Sequence, residues 1–260
     1  MKAMVLAAGL GTRLRPLTDA RPKALVEVGG RTLLEITLTR LRDCGVREVI
    51  INTHHFAELI VEYVKQNESF GMRIEISREE VLLDTGGGLK KAAWFFLEDS
   101  TRLDEPFILH NVDVISNIDF RRMLQFHTNR AALATLAVQN RQTSRYLLFD
   151  EQLRLCGRRI GQDPPEIVRS SPHLQTLAFC GIHIVSPRLL PMLTEEGAFS
   201  IIASYLRLAG EGGTIVGFPA DEYDWRDMGT IEAVMRAATE SNALPNTHSS
   251  PNPNAPNNDE

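Results

Sequence analysis

Gly9, Gly11, Arg13 and, ten residues further on, Lys23 are the residues whose types and spacing most directly suggest chemistry. They follow a short apolar run, Ala3-Met4-Val5-Leu6-Ala7-Ala8, that reads as a buried strand. A chain that leaves a strand through glycines lets backbone N–H groups approach an anion closely. Arg13 and Lys23 then add two fixed cations, and a triphosphate is the ligand such a turn suits best. Two better-known phosphate loops are excluded. No Gly-Lys-Ser/Thr follows a four-residue spacer, and position 14, where a dinucleotide fingerprint needs its third glycine, is Leu14. A Gly-x-Gly pair alone is an ordinary turn. The longer frame Gly9-x-Gly11-x-Arg13-x-Arg15-Pro16-Leu17-Thr18, closed by Pro22-Lys23, is far more specific.

The elements that must position this loop alternate. Thr32-Leu-Leu-Glu35 is a capping box opening a helix with Leu34, Leu38 and Leu41 on one face, and Gly45 provides its stop. Val46 to Asn52 reads as a strand, and Ala57, Ile60, Val61 and Val64 mark a second helix. Met72 to Ser77 is a strand, Gly86 to Leu97 a helix entered through three glycines, and Pro106 to Leu109 and Ala131 to Val138 are further strands. Strands separated by helices imply parallel βαβ units with helices on both faces of one sheet. Ligands in such sheets bind beyond the carboxyl ends of the strands, where the Gly9 loop lies. From Ser144 to about Ile184 the pieces become shorter and strand-like, which reads as a small antiparallel insertion over one half of the site. Two helices and a last strand, Thr214 to Phe218, follow. Residues 1–241 are expected to form one α/β domain. Residues 242–260, rich in Asn, Pro and Ser, are expected to be a disordered tail.

Bulk properties narrow the class. The 260 residues carry a net charge of -5 with 43% hydrophobic and 23% charged residues, enough for a normal core. No basic run exceeds two residues, which argues against a nucleic-acid partner. Three widely spaced cysteines, Cys44, Cys156 and Cys180, make neither a disulfide framework nor a zinc site, so a cytoplasmic setting is the default. Lys2 and the apolar residues after it mimic a secretory signal, but the glycines and Arg13 interrupt them. No stretch approaches the ~20 apolar residues of a membrane span. Oligomeric state is not legible.

The opening Leu6-Ala7-Ala8-Gly9-x-Gly11-x-Arg13 … Pro22-Lys23-x-Leu25 resembles that of the sugar-1-phosphate nucleotidyltransferases, or nucleotide-sugar pyrophosphorylases. The resemblance runs from Met1 to about Ala238. It is greatest to short bacterial types such as the N-acetylmuramate-1-phosphate uridylyltransferases and small mannose-1-phosphate guanylyltransferases. It implies a single doubly wound, Rossmann-like α/β sheet and one reaction. A sugar 1-phosphate attacks the α-phosphate of a nucleoside triphosphate and releases pyrophosphate with Mg²⁺ assistance. The attacking phosphate is already anionic, so positioning and charge neutralisation should dominate over proton transfer.

The resemblance also implies roles. Arg13 is expected on the β- and γ-phosphates and Lys23 near the α-phosphate, with Ala8, Gly9, Gly11 and Thr12 around the nucleotide. Asp113, in His110-Asn111-Val112-Asp113, and Asp227, in Trp225-Arg226-Asp227-Met228-Gly229-Thr230, match the two motifs whose aspartates hold Mg²⁺. Magnesium needs only one or two carboxylates beside substrate oxygens and water. Leu82-Leu83-Asp84-Thr85-Gly86-Gly87-Gly88 resembles the base-reading segment of the uridylyltransferases, so Leu83, Gly86 and Gly87 are expected at the base, with UTP favoured. GTP with mannose or heptose 1-phosphate is the alternative, and a non-catalytic sugar-nucleotide-binding regulator is a third. Asn111 and Gly181 are expected under the sugar.

Departures from the pattern are informative. Val112 replaces a usual glycine, and no lysine occurs after Lys91 to fill the family's Glu-Lys-Pro position on the acceptor phosphate. Arg158 or Arg159 could substitute. Cys180 has no neighbouring base and is not a nucleophile. His54 and His55 are adjacent on a strand end and face opposite ways, so they are not a metal pair.

Overall fold

The structure, a computed structural model, describes residues 1–99 and 104–243. β1 (Lys2–Leu6) is buried along its whole length, as a central parallel strand must be. Two single 3₁₀ turns, Thr12–Leu14 and Lys23–Leu25, carry the glycine loop to a hairpin of β2 (Glu27–Val28) and β3 (Arg31–Thr32). α1 (Leu33–Asp43) is capped by Thr32, whose Oγ1 accepts the Glu35 N–H at 3.0 Å. The Glu35 carboxylate does not close the box. It accepts instead from Arg31 Nε at 2.7 Å and the Tyr63 hydroxyl at 3.1 Å.

β4 (Glu48–Thr53), α2 (Ala57–Gln66) and β5 (Arg73–Arg78) complete the first parallel edge. α3 (Asp84–Lys91) and α4 (Ala93–Leu97) follow as two pieces, where the sequence suggested one helix from Gly86 to Leu97 entered through three glycines. The glycines lie inside α3, although each costs about 1 kcal/mol there relative to alanine. Packing explains them. A Cβ on Gly86 would collide with the Phe199 ring, one on Gly87 would fall 2.5 Å from the Gly197 carbonyl oxygen, and one on Gly88 would meet Asn52 and Glu79 at 2.8 Å.

Next come β6 (Phe107–Asn111), β7 (Val114–Ser116), α5 (Phe120–Asn129) and β8 (Ala134–Gln139). β9 (Arg145–Phe149), β10 (Leu155–Ile160), β11 (Glu166–Ile167) and β12 (Gln175–Val185) are the strand-like pieces expected after Ser144. α6 (Ile201–Gly210), β13 (Ile215–Pro219), β14 (Trp225–Asp227) and α7 (Ile231–Ala243) end the described chain. β14 and α7 were not foreseen. The tail expected from residue 242 begins inside α7 for its first two residues, and the remainder lies outside the described residues.

Among the described residues ten strands form one sheet, running β11-β10-β9-β12-β6-β1-β4-β5 with β8 and β13 attached through β12. β6, β1, β4 and β5 are parallel, whereas β12, β9, β10 and β11 extend the same sheet antiparallel rather than standing apart from it. Apolar side chains from α1, α2, α5 and α7 cover one face, and those from α3, α4 and α6 cover the other. This is the doubly wound arrangement the alternation predicts.

The long strand β12 makes one local break. Its Ala178 pairs with both Gln139 of β8 and Tyr146 of β9, and its Ile184 with both Thr135 of β8 and Ile108 of β6. β9 and β6 therefore lie end to end on the same side of β12. Residues 179–181 cross the gap between them, with Gly181 at φ 73°.

Candidate active site

The phosphate loop leaves β1 and is pinned at its far end. Gly11 adopts φ 63°, and a Cβ there would fall 2.9 Å from Thr18 Cγ2 and 3.1 Å from Lys23 Cβ. The Thr18 hydroxyl donates to the Gly11 carbonyl at 2.9 Å. Only a residue without a side chain allows this turn to close on Thr18 and Lys23. Gly9, by contrast, has nothing within 4 Å of where its Cβ would be.

A cleft of about 350 Å³ opens beside it, at the carboxyl ends of β1 and β6 as the rule for open α/β sheets requires. Of the residues expected in the site, Ala8, Gly9, Lys23, Asn111 and Asp113 line this cleft, together with Leu82, Asp84 and Thr85. Lys23 Nζ ion-pairs with Asp113 Oδ2, and each side chain is only 15% exposed. A wider groove of about 440 Å³ lies between the β2–β3 hairpin, α1 and β14, but none of the expected site residues lines it.

Two aspartates from distant stretches of sequence meet through a small ladder. β14 pairs antiparallel with β7, setting Asp227 opposite Val114, and the Met228 N–H donates to the Asp113 carbonyl at 2.8 Å. The half-buried guanidinium of Arg40 braces β7, donating to Ser116 Oγ at 2.8 Å and to the Ile118 carbonyl. Its pKa falls to about 10, chiefly through desolvation. Asp227 Oδ1 accepts the Gly229 N–H at 2.7 Å. Arg13 comes to the same spot from the phosphate loop, for a Cβ on Gly229 would fall 2.7 Å from Arg13 Nη2 and 2.7 Å from Asp227 Oδ1. Thr12 beside it is exposed.

Asp113 Oδ1 and Asp227 Oδ2 accept no hydrogen bond from the described residues. Two hard carboxylate donors with free oxygens fit Mg²⁺, which completes its shell with substrate oxygens and water. Among the described residues no group of three or more His, Cys, Asp or Glu side chains could hold a metal by itself.

In the segment expected at the base, the glycines pack against the chain rather than open onto the cleft. The Gly86 and Gly87 N–H groups both donate to the Phe199 carbonyl, at 2.9 and 3.3 Å, and the Leu83 carbonyl accepts the Phe199 N–H at 3.1 Å. These glycines admit the 197–199 segment, while Leu82, Asp84, Thr85 and Ala198 face the cleft. The sequence reading also missed a buried network behind it. Asn52 Oδ1 accepts the Ala7 N–H at 2.8 Å, Asn52 Nδ2 donates to Glu79 Oε1 at 2.7 Å, and the Leu83 N–H donates to Glu79 Oε2 at 2.9 Å. It ties the phosphate loop to the start of α3. Its one visible signal is a polar residue, Asn52, directly after the apolar run Val49-Ile50-Ile51.

In the acceptor half, Gly181 sits directly against Asn111, and a Cβ there would fall 2.9 Å from Asn111 Nδ2. The Cys180 thiol is buried and its pKa is pushed up to about 12 by desolvation, as a non-nucleophile should be. Arg158 is spent on Glu166 at 2.7 Å on the outer hairpin. His54 Nδ1 is bonded to the Glu79 backbone oxygen at 2.9 Å, which accounts for it as loop packing.

A doubly wound α/β sheet with a cleft at the ends of its parallel strands sets the fold class, and solved structures share that fold. A proposed glucose-1-phosphate thymidylyltransferase of Bacillus anthracis, in complex with sucrose, superposes with a TM-score of 0.77 at 18% identity, covering 94% of this chain and 96% of that one. HddC from Yersinia pseudotuberculosis complexed with GMP-PN superposes at 0.72 and 20% identity, covering 92% and 98%. The nucleotidyl transferase family model matches residues 2–152. An N-acetylmuramate alpha-1-phosphate uridylyltransferase of Caulobacter vibrioides is 34% identical over 90% of this chain and 94% of its own length. A mannose-1-phosphate guanyltransferase of Candida albicans is 30% identical over 88% of this chain, which spans 61% of that longer protein. The chain belongs to the nucleotidyl transferase family.

Proposed function

We propose that the chain transfers a nucleotidyl group from a nucleoside triphosphate to a sugar 1-phosphate, giving a nucleotide sugar and pyrophosphate. The observation that carries this reading is a strand-end cleft lined by Gly9, Lys23 and Asp113, with Asp227 tied to Asp113 through the Met228 N–H. A module that only bound nucleotide sugars would have no use for a second carboxylate held by its own ladder. In this reading the loop backbone around Ala8, Gly9 and Gly11 receives the triphosphate. Arg13 stabilises the departing pyrophosphate through its planar fork. Lys23, paired with Asp113 in the structure, provides the point charge at the α-phosphate. Asp113 and Asp227 hold Mg²⁺, which when bound neutralises charge on the phosphates. Asn111 and Gly181 seat the sugar. Three unpaired cysteines suit a reducing, cytoplasmic setting.

UTP is the favoured donor, supported by the Asp84-Thr85-Gly86-Gly87-Gly88 segment and by the uridylyltransferase at 34% identity. GTP is the second reading, and one observation favours it. Asp84 faces the cleft, and a carboxylate can accept from both N–H groups on the edge of guanine, whereas uracil offers one donor between two carbonyls. A matrix of four nucleoside triphosphates against sugar 1-phosphates, read by pyrophosphate release, tests both. Release with UTP supports the first reading. A preference for GTP above about tenfold, roughly 1.4 kcal/mol, replaces it with the second. No release from any pair sinks the proposal.

A further inference from the structure

The ladder that joins the two aspartates is small. β7 and β14 form a two-stranded sheet of their own, three residues on each strand, outside the ten-stranded sheet. A two-stranded ribbon of that length is marginal by itself in water. Yet its register decides where the carboxylates stand, with Asp227 opposite Val114, Arg226 opposite Ile115 and Trp225 opposite Ser116. Asp113 immediately precedes β7, and its carbonyl accepts the Met228 N–H at 2.8 Å. The groups that hold this ladder in place therefore govern how Asp113 and Asp227 stand against each other.

The end of the ladder away from the aspartates is closed by Asn117 and Asp224. The Asn117 N–H donates to the Asp224 carbonyl at 3.1 Å, and the Asp224 N–H donates to Asn117 Oδ1 at 2.8 Å. Asn117 Nδ2 adds a longer bond to Asp224 Oδ2 at 3.4 Å. Both residues are exposed. These bonds keep the two strands in register but tie the ladder only to itself.

Two anchors tie it to the body of the fold, and both act on one rung. On the β14 side, Trp225 Nε1 donates to the Cys180 carbonyl of β12 at 2.7 Å. On the β7 side, Arg40 of α1 donates to Oγ of Ser116, the residue opposite Trp225, at 2.8 Å, and to the Ile118 carbonyl just past the strand. The guanidinium is itself seated, its central carbon 4.1 Å from the centroid of the Phe120 ring. α1 buries Leu33, Leu34, Leu38 and Leu41, so Arg40 reaches out from a packed helix. Placing a half-buried cation on a hydroxyl and a carbonyl is a costly way to hold a strand that apolar packing could hold. What the planar fork supplies in exchange is a directional grip on two acceptors at once, two rungs from Asp227.

We infer that Arg40 is a positioning residue for the metal: through Ser116 and Ile118 it holds β7 where Asp113 and Asp227 can share one Mg²⁺. This rests on the reading of those aspartates as the Mg²⁺ ligands of nucleotidyl transfer, and the experiment separates the two. Mn²⁺ accepts the same oxygen donors, and its binding to the chain is read by electron paramagnetic resonance. Arg40→Met keeps the apolar stem and removes every donor, whereas Ser116→Ala removes only the hydroxyl and leaves Arg40 in place. Each should raise the Mn²⁺ dissociation constant about tenfold, the low end for groups that orient metal ligands without touching the metal. Arg40→Lys should recover only part of the loss, because an ammonium does not fork. The double variant should fall short of the sum, since both changes break one bond. In steady-state assays the same variants should need more Mg²⁺ for half-maximal rate, while KM for the nucleoside triphosphate at saturating Mg²⁺ stays within about twofold.

A merely structural role would lower the melting temperature and leave Mn²⁺ affinity and the Mg²⁺ requirement where they were. That result, with Asp113→Asn and Asp227→Asn still weakening Mn²⁺ binding, overturns the inference and leaves the function standing. Should Arg40→Met fail to fold, Ser116→Ala and Arg40→Lys carry the same test. If Mn²⁺ binds through Asp227 and these variants weaken it, yet the wild-type chain releases no pyrophosphate from any pair, the reaction is wrong and the positioning role stands. A wild-type chain that binds no Mn²⁺, with or without UTP or GTP, overturns the inference outright.

Discussion

Gly229→Ala is the most economical test of how the site is assembled, because it adds one methyl group and removes nothing. The new Cβ would fall 2.7 Å from Arg13 Nη2 and 2.7 Å from Asp227 Oδ1. Ordinary contact begins near 3.4 Å, so both side-chain ends must retreat by about 0.7 Å. Gly229 lies outside the left-handed region, so alanine suffers no backbone strain there. The stability cost should be about 1 kcal/mol or less, or about 2–4 °C in Tm, since flexible side-chain ends rather than a packed core must yield. Catalysis should suffer far more. A misplacement approaching 1 Å costs up to about 10²-fold, or ~2.7 kcal/mol, when positioning is the main catalytic device. That loss should appear in kcat/KM by pyrophosphate release, and it should resemble the ~2–4 kcal/mol expected for Arg13→Ala. Because both changes act on one contact, the double variant should fall well short of the sum. Wild-type kcat/KM in Gly229→Ala would refute the joint placement of Arg13 and Asp227 beside that backbone.

Further outcomes follow from the same geometry. Asp113→Asn and Asp227→Asn should each cut turnover by orders of magnitude at limiting Mg²⁺ while circular dichroism stays native; full activity in either would remove it from the metal site. Gly86→Ala should lower stability by about 1–3 kcal/mol through collision with Phe199, seen as a shifted urea midpoint, and an unchanged midpoint would show that the 197–199 segment yields freely. His110 and His183 are buried, with pKa values lowered to about 3 by desolvation, so below pH 6.5 the unfolded chain binds protons the folded chain refuses. Stability should therefore fall between pH 6.5 and pH 3, by about 2 kcal/mol per histidine at pH 5. A flat unfolding free energy from pH 7 to pH 5 would contradict this.

The sequence made the parallel half legible because its signals are local. Apolar runs such as Ala3–Ala8, the Thr32 cap and the Leu34/Leu38/Leu41 stripe each report on one element, and the Gly9 to Lys23 frame reports on one loop. What stayed hidden depends on residues far apart. The glycines of α3 read as a helix entry, yet each makes room for residues distant in sequence: Phe199 beside Gly86, Gly197 beside Gly87, and Asn52 with Glu79 beside Gly88. Asn52 and Glu79 look like two unrelated polar residues until β4 and β5 pair and bury them. β14 is three residues long and too short to carry a periodicity, although it sets Asp227 in place.

The β7–β14 ladder also fixes when, in the life of a molecule, this site comes into being. A ribosome delivers the chain from its N-terminus, and an emerging domain closes its local contacts first. The matched family region, residues 2–152, holds the phosphate loop, Lys23 and Asp113. It does not hold β14, nor β12, which carries Gly181 and the Phe179 carbonyl. A nascent chain halted before Trp225 has Asp113, paired with Lys23, but neither Asp227 nor the Met228 N–H that joins the two. Joining Asp113 to Asp227 closes a long loop, so its entropic cost is met only when β14 docks and α7 packs behind it. The ladder that joins the two aspartates thus forms only after residue 228 has been delivered, and a chain ending before it is expected to release no pyrophosphate.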